Sequence, residues 1–340
     1  MSDKPSLLPW LGAPLARGLA ARGHALLLHG PGGVGQYELG WALAAAWLCE
    51  AAASGAQACG QCGSCHLMAA HAHPDFHLLL PAALREGLGW PAVDDGEEGA
   101  KAGKTKAKPS KEIRIGEAQA AIDWSHLTSS RGRAKVLLIH PAQAMNLVAA
   151  NALLKTIEEP ARGLRIVLTA KDEEALLPTL RSRCQRVRLA LPPAPQALAW
   201  LAAQGVVRPE VLLAAGGGQP LDALAMLSDG VDSAAWERLP GAVRRGAAAG
   251  LSEWPLPRLI DAMQKLCHDL MCVRAGAAPR HFSSALLAPL VQPDQPAWPA
   301  LAGWARELTH AARFDAHPWH AGLRNEALLG QGARLWQTPR

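Results

Sequence analysis

Residues Leu26–Tyr37 read LLLHGPGGVGQY, and the fold of the chain turns on them. The apolar run Ala25–Leu28 has the composition of a buried strand. A glycine-rich turn follows, and Glu38–Leu48 continues at helical spacing, with Leu39, Leu43 and Trp47 expected on its inner face. Strand, glycine loop and helix in this order form a phosphate-binding P-loop, G-x-x-x-x-G-K-[ST]. Its backbone N–H groups cradle phosphate, while its lysine and hydroxyl serve the phosphate charge and magnesium. Gly30 and Gly35 hold the required spacing, with Gly32 and Gly33 between them. Gln36 stands at the lysine position and Tyr37 at the Ser/Thr position. The loop keeps its cradle and lacks its chemistry, so no functional ATP site is expected in it.

A second ATPase element is altered independently. Ala134–Ile139, AKVLLI, reads as a fully buried strand of a parallel sheet. In P-loop ATPases such a strand ends in acids that hold magnesium and position water. Here it ends in His140-Pro141, and no partner residue is evident that would make His140 a base.

The other chemical signal is a run of cysteines. The chain holds seven, and Cys49, Cys59, Cys62 and Cys65 follow the spacing C-x9-C-x2-C-x2-C. Tight C-x-x-C turns present two thiolates to one ion, and zinc prefers four such ligands, so a structural zinc is expected. The spacing also opens a ferredoxin-type iron–sulfur run, but no Cys-Pro follows. His66, His71, His73 or His77 could replace Cys49 as a ligand.

The rest of the chain bounds the fold. At 340 residues, 49% of them hydrophobic, it has material for two or three domains. The net charge of +5 permits nucleic-acid contact without arguing for it. No apolar run of about 18 residues and no leader pattern is apparent, so a soluble cytoplasmic protein without membrane partners is expected. Helices are expected at 7–22, 113–127, 145–159 and 176–180, with Ile115, Leu127 and Leu147 among the inner residues. Strands are expected at 76–80 and 165–169. Residues 94–112 are rich in Lys, Gly and Glu and read as a flexible insertion. Arg181, Arg183, Arg186 and Arg188 cluster before Pro192-Pro193, where the first domain closes. Helical patterns dominate from there to the end.

The motifs LLLHGPGGVGQ, CGQCGSC, HPDF, NALLKTIEEP and LRSRC, in this order, resemble the delta-prime subunits of the bacterial DNA polymerase III clamp loader, members of the AAA+ superfamily. The resemblance covers 10–190 and weakens after about Leu191. It implies an α/β fold, a P-loop ATPase-like parallel sheet domain with helices on both faces, at 1–190. That domain would carry the zinc module at 49–65 and the insertion at 94–112. A small helical lid domain at 191–230 and an all-α collar domain at 231–340 would follow. It implies zinc on Cys49, Cys59, Cys62 and Cys65. It places Arg183 as an arginine finger offered in trans to a neighbouring subunit, and Thr169 where active relatives sense phosphate. Pro220 replaces an arginine that active relatives direct to ATP. The implied partners are the ATP-hydrolysing gamma/tau-type and delta subunits, with the sliding clamp and primed DNA reached through the assembly. No intrinsic catalysis is expected, only membership of a DNA-directed DNA polymerase holoenzyme, a nucleotidyltransferase by assembly. An active P-loop ATPase and a zinc-ribbon nucleic-acid-binding protein are the alternatives.

Overall fold

The computed structural model describes residues 7–53, 55–91, 109–247, 250–251, 253–292, 295–313 and 321–337. Positions 94–108 of the expected insertion lie outside the described residues. The chain divides into two compact units, 1–190 and 191–340.

The first unit is built on five parallel strands, β1 (Ala25–His29), β2 (Phe76–Leu79), β3 (Lys135–Ile139), β4 (Leu164–Ala170) and β5 (Gln185–Arg188), in the order β2-β3-β4-β1-β5. The central strands β1, β3 and β4 carry continuous apolar runs at 25–28, 136–139 and 166–168 because both faces are covered. Alternate residues Leu27, Leu137, Ile139, Ile166 and Leu168 join a core with α5 (Ile115–His126) and α6 (Leu147–Glu158). The other face meets α2 (Gln36–Leu48), where Gly40 lies so close that a Cβ would come within 2.7 Å of Leu138. Helix α1 (Gly12–Ala20) packs on α2, and short helices α3 (Gly63–Ala69), α4 (Ala82–Arg85) and α7 (Pro178–Arg183) complete the unit. β5 is an edge strand exposing Gln185, Arg186 and Arg188, and charged side chains of this kind discourage further strand pairing. Lys135 is buried at the start of β3. Its ammonium donates to the carbonyls of Trp124 (2.5 Å) and Leu127 (2.9 Å) at the end of α5, where the helix dipole favours a cation.

Four expected inner residues are not inside. Ile115 is 40% exposed, and Leu127 and Leu147 are each 63% exposed. Ile115 and Leu147 are the first residues of their helices and Leu127 follows the last residue of α5. Periodicity gives the buried face of a helix but not how much of its length is covered. Trp47 is half-buried and its ring carries the Arg165 guanidinium at 4.8 Å. The helix expected at 176–180 begins at Pro178 instead, because a proline holds the residue before it extended.

The second unit is all-helical: α8 (Ala194–Ala203), α9 (Pro209–Ala215), α10 (Pro220–Ser228), α11 (Ser233–Arg245), α12 (Leu256–Arg274), α13 (Ser284–Leu287), α14 (Trp298–Arg313) and α15 (Ala321–Ala333). One hydrophobic core draws on helices from α8 to α15. At its centre Trp236 stacks on Phe282, with centroids 4.6 Å apart, and donates its indole N–H to the His281 carbonyl. Arg258 of α12 donates to Asp222 (3.1 Å) and Asp229 (2.8 Å), tying α12 to α10 and the turn after it.

Candidate nucleotide loop, cysteine centre and arginine

The glycine loop leaves β1 at Gly30, whose φ of +150° and closeness to β5 both demand glycine. A Cβ there would stand 2.1 Å from the Leu189 carbonyl oxygen. Gly35 caps α2 with φ +102°, packed under Leu8 and Leu11. Gln36 is only 6% exposed, and its amide donates to the carbonyls of Gly30 (2.7 Å) and Pro31 (2.5 Å). The side chain at the lysine position is therefore folded back onto the loop's own backbone. Tyr37 is equally engaged. Its hydroxyl accepts from the Trp90 indole N–H at 2.7 Å, and its ring tilts against His140 at 5.1 Å. Trp41, His71, Phe76 and Trp90 continue this aromatic cluster, with His71 stacked on Trp90 at 4.1 Å.

The end of β3 is closed in the same way. Thr169 is fully buried and donates to the Ile139 carbonyl at 3.3 Å, which leaves its oxygen to accept from His140 Nδ1 at 2.7 Å. Burial, with a smaller effect from Lys171, lowers the pKa of His140 to about 4. His140 is thus a neutral imidazole near pH 7, held by threonine and packed on tyrosine.

The four cysteines of the spacing argument come together. Their sulfurs lie within 4.8 Å of one another, with Cys49–Cys62 at 3.8 Å and Cys59–Cys65 at 3.9 Å. Four thiolates around a zinc at about 2.3 Å would stand roughly 3.8 Å apart, so the set could hold such an ion. Backbone N–H groups of Cys59, Gly60, Gln61 and Cys62 point at these sulfurs at 3.3–3.4 Å. Burial raises the pKa of Cys62, but N–H groups of Cys65 and Glu50 outweigh it and bring the thiol to about 6. Burial pushes Cys65 up to about 12.

The histidines considered as alternative ligands lie outside this cluster. His73 bonds the Ser64 hydroxyl at 3.1 Å and accepts the Asp75 N–H at 3.1 Å, His71 stacks on Trp90, and His77 leans on Trp124. Sequence reading missed what His73 and Asp75 of HPDF do. Asp75 accepts from Ser129 Oγ and from the N–H groups of Ser130 and Arg131, while Arg131 Nε donates to Glu50 Oε1 at 2.7 Å. Ser64 also donates to Glu50, so the cysteine module is bound to the loop before β3 through Glu50, Ser64, His73 and Asp75.

Arg183 ends α7 on the surface of the unit. Its guanidinium pairs with Glu158 of α6 and donates to the Thr179 carbonyl at 2.8 Å. Glu158 lies in the NALLKTIEEP motif, which carried no hint of this pairing. Cys184 beside it is buried, and burial raises its thiol to about 11.

The chain is similar to known proteins over most of its length. The family described as "DNA polymerase III, delta subunit" matches residues 19–193. The chain is 36% identical over 269 residues to DNA polymerase III subunit delta' of Pseudomonas aeruginosa, covering 75% of this chain and 74% of that one. It is 31% identical over 356 aligned residues to DNA polymerase III subunit delta' of Yersinia pestis, covering 97% and 95%. A solved structure of a DNA polymerase III gamma subunit-related protein from Thermotoga maritima aligns with 95% of this chain and 98% of its own at TM-score 0.41 and 14% identity. The family match over half the chain and the extent of both relatives agree: this chain belongs to the DNA polymerase III subunit delta' family.

Proposed function

We propose that this chain is a non-ATPase subunit of a DNA polymerase III clamp loader, a ring-like hetero-oligomer with gamma/tau-type and delta subunits that places a sliding clamp on primed DNA. The observation that carries the reading is Gln36, buried and hydrogen-bonded to Gly30 and Pro31 where a nucleotide-binding lysine would extend. The glycine loop then serves as a structural turn, and Cys49, Cys59, Cys62 and Cys65 hold a structural zinc. The sheet domain offers Arg183 across a subunit interface to a neighbour's ATP, where a guanidinium stabilises the charge of phosphoryl transfer. Glu158 holds that guanidinium until the interface forms. An exposed pair of this kind contributes about 0–1 kcal/mol, little enough to exchange for phosphate.

Arg183→Ala tests the reading in the reconstituted complex. ATPase activity is expected to fall by roughly 10³-fold or more, as for other arginine fingers supplied in trans, while the variant still assembles. Unchanged ATPase in the assembled complex would refute the arginine's role.

A further inference from the structure

The four cysteines come from two stretches of chain that the fold must bring to one place. Cys49 follows the last residue of α2, while Cys59, Cys62 and Cys65 lie before and within α3. A side chain from a third stretch reaches both. Arg131, in the loop before β3, donates from Nε (2.7 Å) and Nη2 (2.5 Å) to Oε1 of Glu50, the residue next to Cys49. The same guanidinium lies over the backbone between Cys62 and Cys65, where a Cβ on Gly63 would stand 3.0 Å from Nη2. Arg133 adds a bond from its guanidinium to the Ala52 carbonyl at 3.2 Å.

The hydrogen bonds around Glu50 run in one direction. His73 Nδ1 accepts the Asp75 N–H, so the hydrogen of the neutral ring sits on Nε2 and is donated to Ser64 Oγ. Ser64 is fully buried between the two cysteines of its turn, and it gives its own hydrogen to Glu50 Oε1 at 3.0 Å. One carboxylate oxygen thus gathers a donor from the Cys62–Cys65 turn and two from Arg131. Bonds to an ionised carboxylate are about twice as strong as neutral ones, so the guanidinium fork is the firmest tie in the set.

The side chain of Arg131 is separable from the loop that carries it. The Arg131 and Ser130 N–H groups and Ser129 Oγ bind Asp75, and the two backbone bonds persist whatever side chain stands at 131. The guanidinium is 35% exposed, so its removal opens no buried cavity.

We propose that Arg131 is a positioning residue of the four-cysteine centre. Acting through Glu50, it holds Cys49 in register with Cys62 and Cys65, so that a zinc ion meets sulfurs already in place. This role rests on the structural zinc of the proposed function. Groups that orient metal ligands without binding the metal typically change its affinity about 10–100-fold when replaced.

Zinc competition between the full-length chain and a chromophoric chelator tests the role, together with the absorption spectrum of the cobalt-substituted chain. Arg131→Ala and Glu50→Gln are each expected to lower zinc affinity at least about tenfold. The double variant should lose no more than either single one, because both act through one contact. Arg131→Lys, which keeps the charge without the fork, should recover only part of the loss. At saturating cobalt the sulfur-to-metal bands should shift in Arg131→Ala, while the zinc-free wild type and variant unfold at the same denaturant concentration. A merely structural role would move the unfolding midpoint and leave the bands in place. Wild-type zinc affinity in Arg131→Ala would overturn the proposal. A wild type that takes up neither zinc nor cobalt would overturn the zinc reading itself, and this role with it.

Discussion

The glycine loop and the cysteine module lie at opposite ends of α2 and differ in what each has kept. At the N-terminal end the backbone path of the glycine loop is kept while its side chains turn to other uses. Gln36 binds the loop's carbonyls and Tyr37 binds Trp90. At the C-terminal end the donor set is whole, with four sulfurs converging and backbone N–H groups aimed at them. The difference teaches that spacing identifies a fold, while function depends on where each side chain goes. A glycine pattern fixes a backbone path whatever fills it. A metal site requires every ligand and so declares itself more fully.

The largest expected effect breaks the cysteine side. Cys62→Ser should lower the zinc content by about one equivalent per chain, and lower the unfolding temperature of the first unit. Binding free energies of about 10 kcal/mol or more in isolated zinc-finger peptides set the ceiling for that loss. Elemental analysis with thermal unfolding checks it, and an unchanged zinc content would remove Cys62 from the site. On the loop side, Gly30→Ala should destabilise the first unit by about 3 kcal/mol or more, since the new methyl meets the Leu189 carbonyl and the backbone is strained at positive φ. Denaturant unfolding measures it. A change below about 1 kcal/mol would mean that the loop is not a fixed structural turn.

A smaller effect comes from the end of β3. The folded pKa of His140, about 4, lies below its ordinary 6.5. Between those values the unfolded chain binds a proton that the folded chain refuses. The stability contributed by neutral His140 is therefore complete above about pH 6.5 and lost as the pH falls toward 4, with a total span of roughly 3 kcal/mol. His140→Gln, which can still donate to Thr169, should flatten this part of the stability–pH profile in denaturant titrations.

Much of this was legible in the sequence. Ala25–Leu28, Ala134–Ile139 and Arg165–Thr169 stood out because parallel strands covered on both faces cannot alternate with polar residues. The four cysteines were found by spacing, since two C-x-x-C turns place thiolates on one ion. The exposure of Ile115, Leu127 and Leu147 was not legible, because coverage along a helix axis depends on its neighbours. Helix α11 was not delimited, because Pro240 lies inside it, although Asp232 and Gly246 mark its two ends. The inward turn of Gln36 and the pairing of Arg183 with Glu158 were invisible for a different reason. Both join residues whose contact is a choice of side-chain rotamer, which no periodicity encodes.

Equilibrium binding of labelled ATP to the isolated chain bears most directly on the central claim that the glycine loop is a turn and not a nucleotide site. Gln36 supplies two hydrogen bonds to the loop's own backbone and no positive charge to a phosphate. The account predicts no saturable ATP binding in the micromolar range, with or without magnesium. Saturable micromolar binding accompanied by turnover would contradict it.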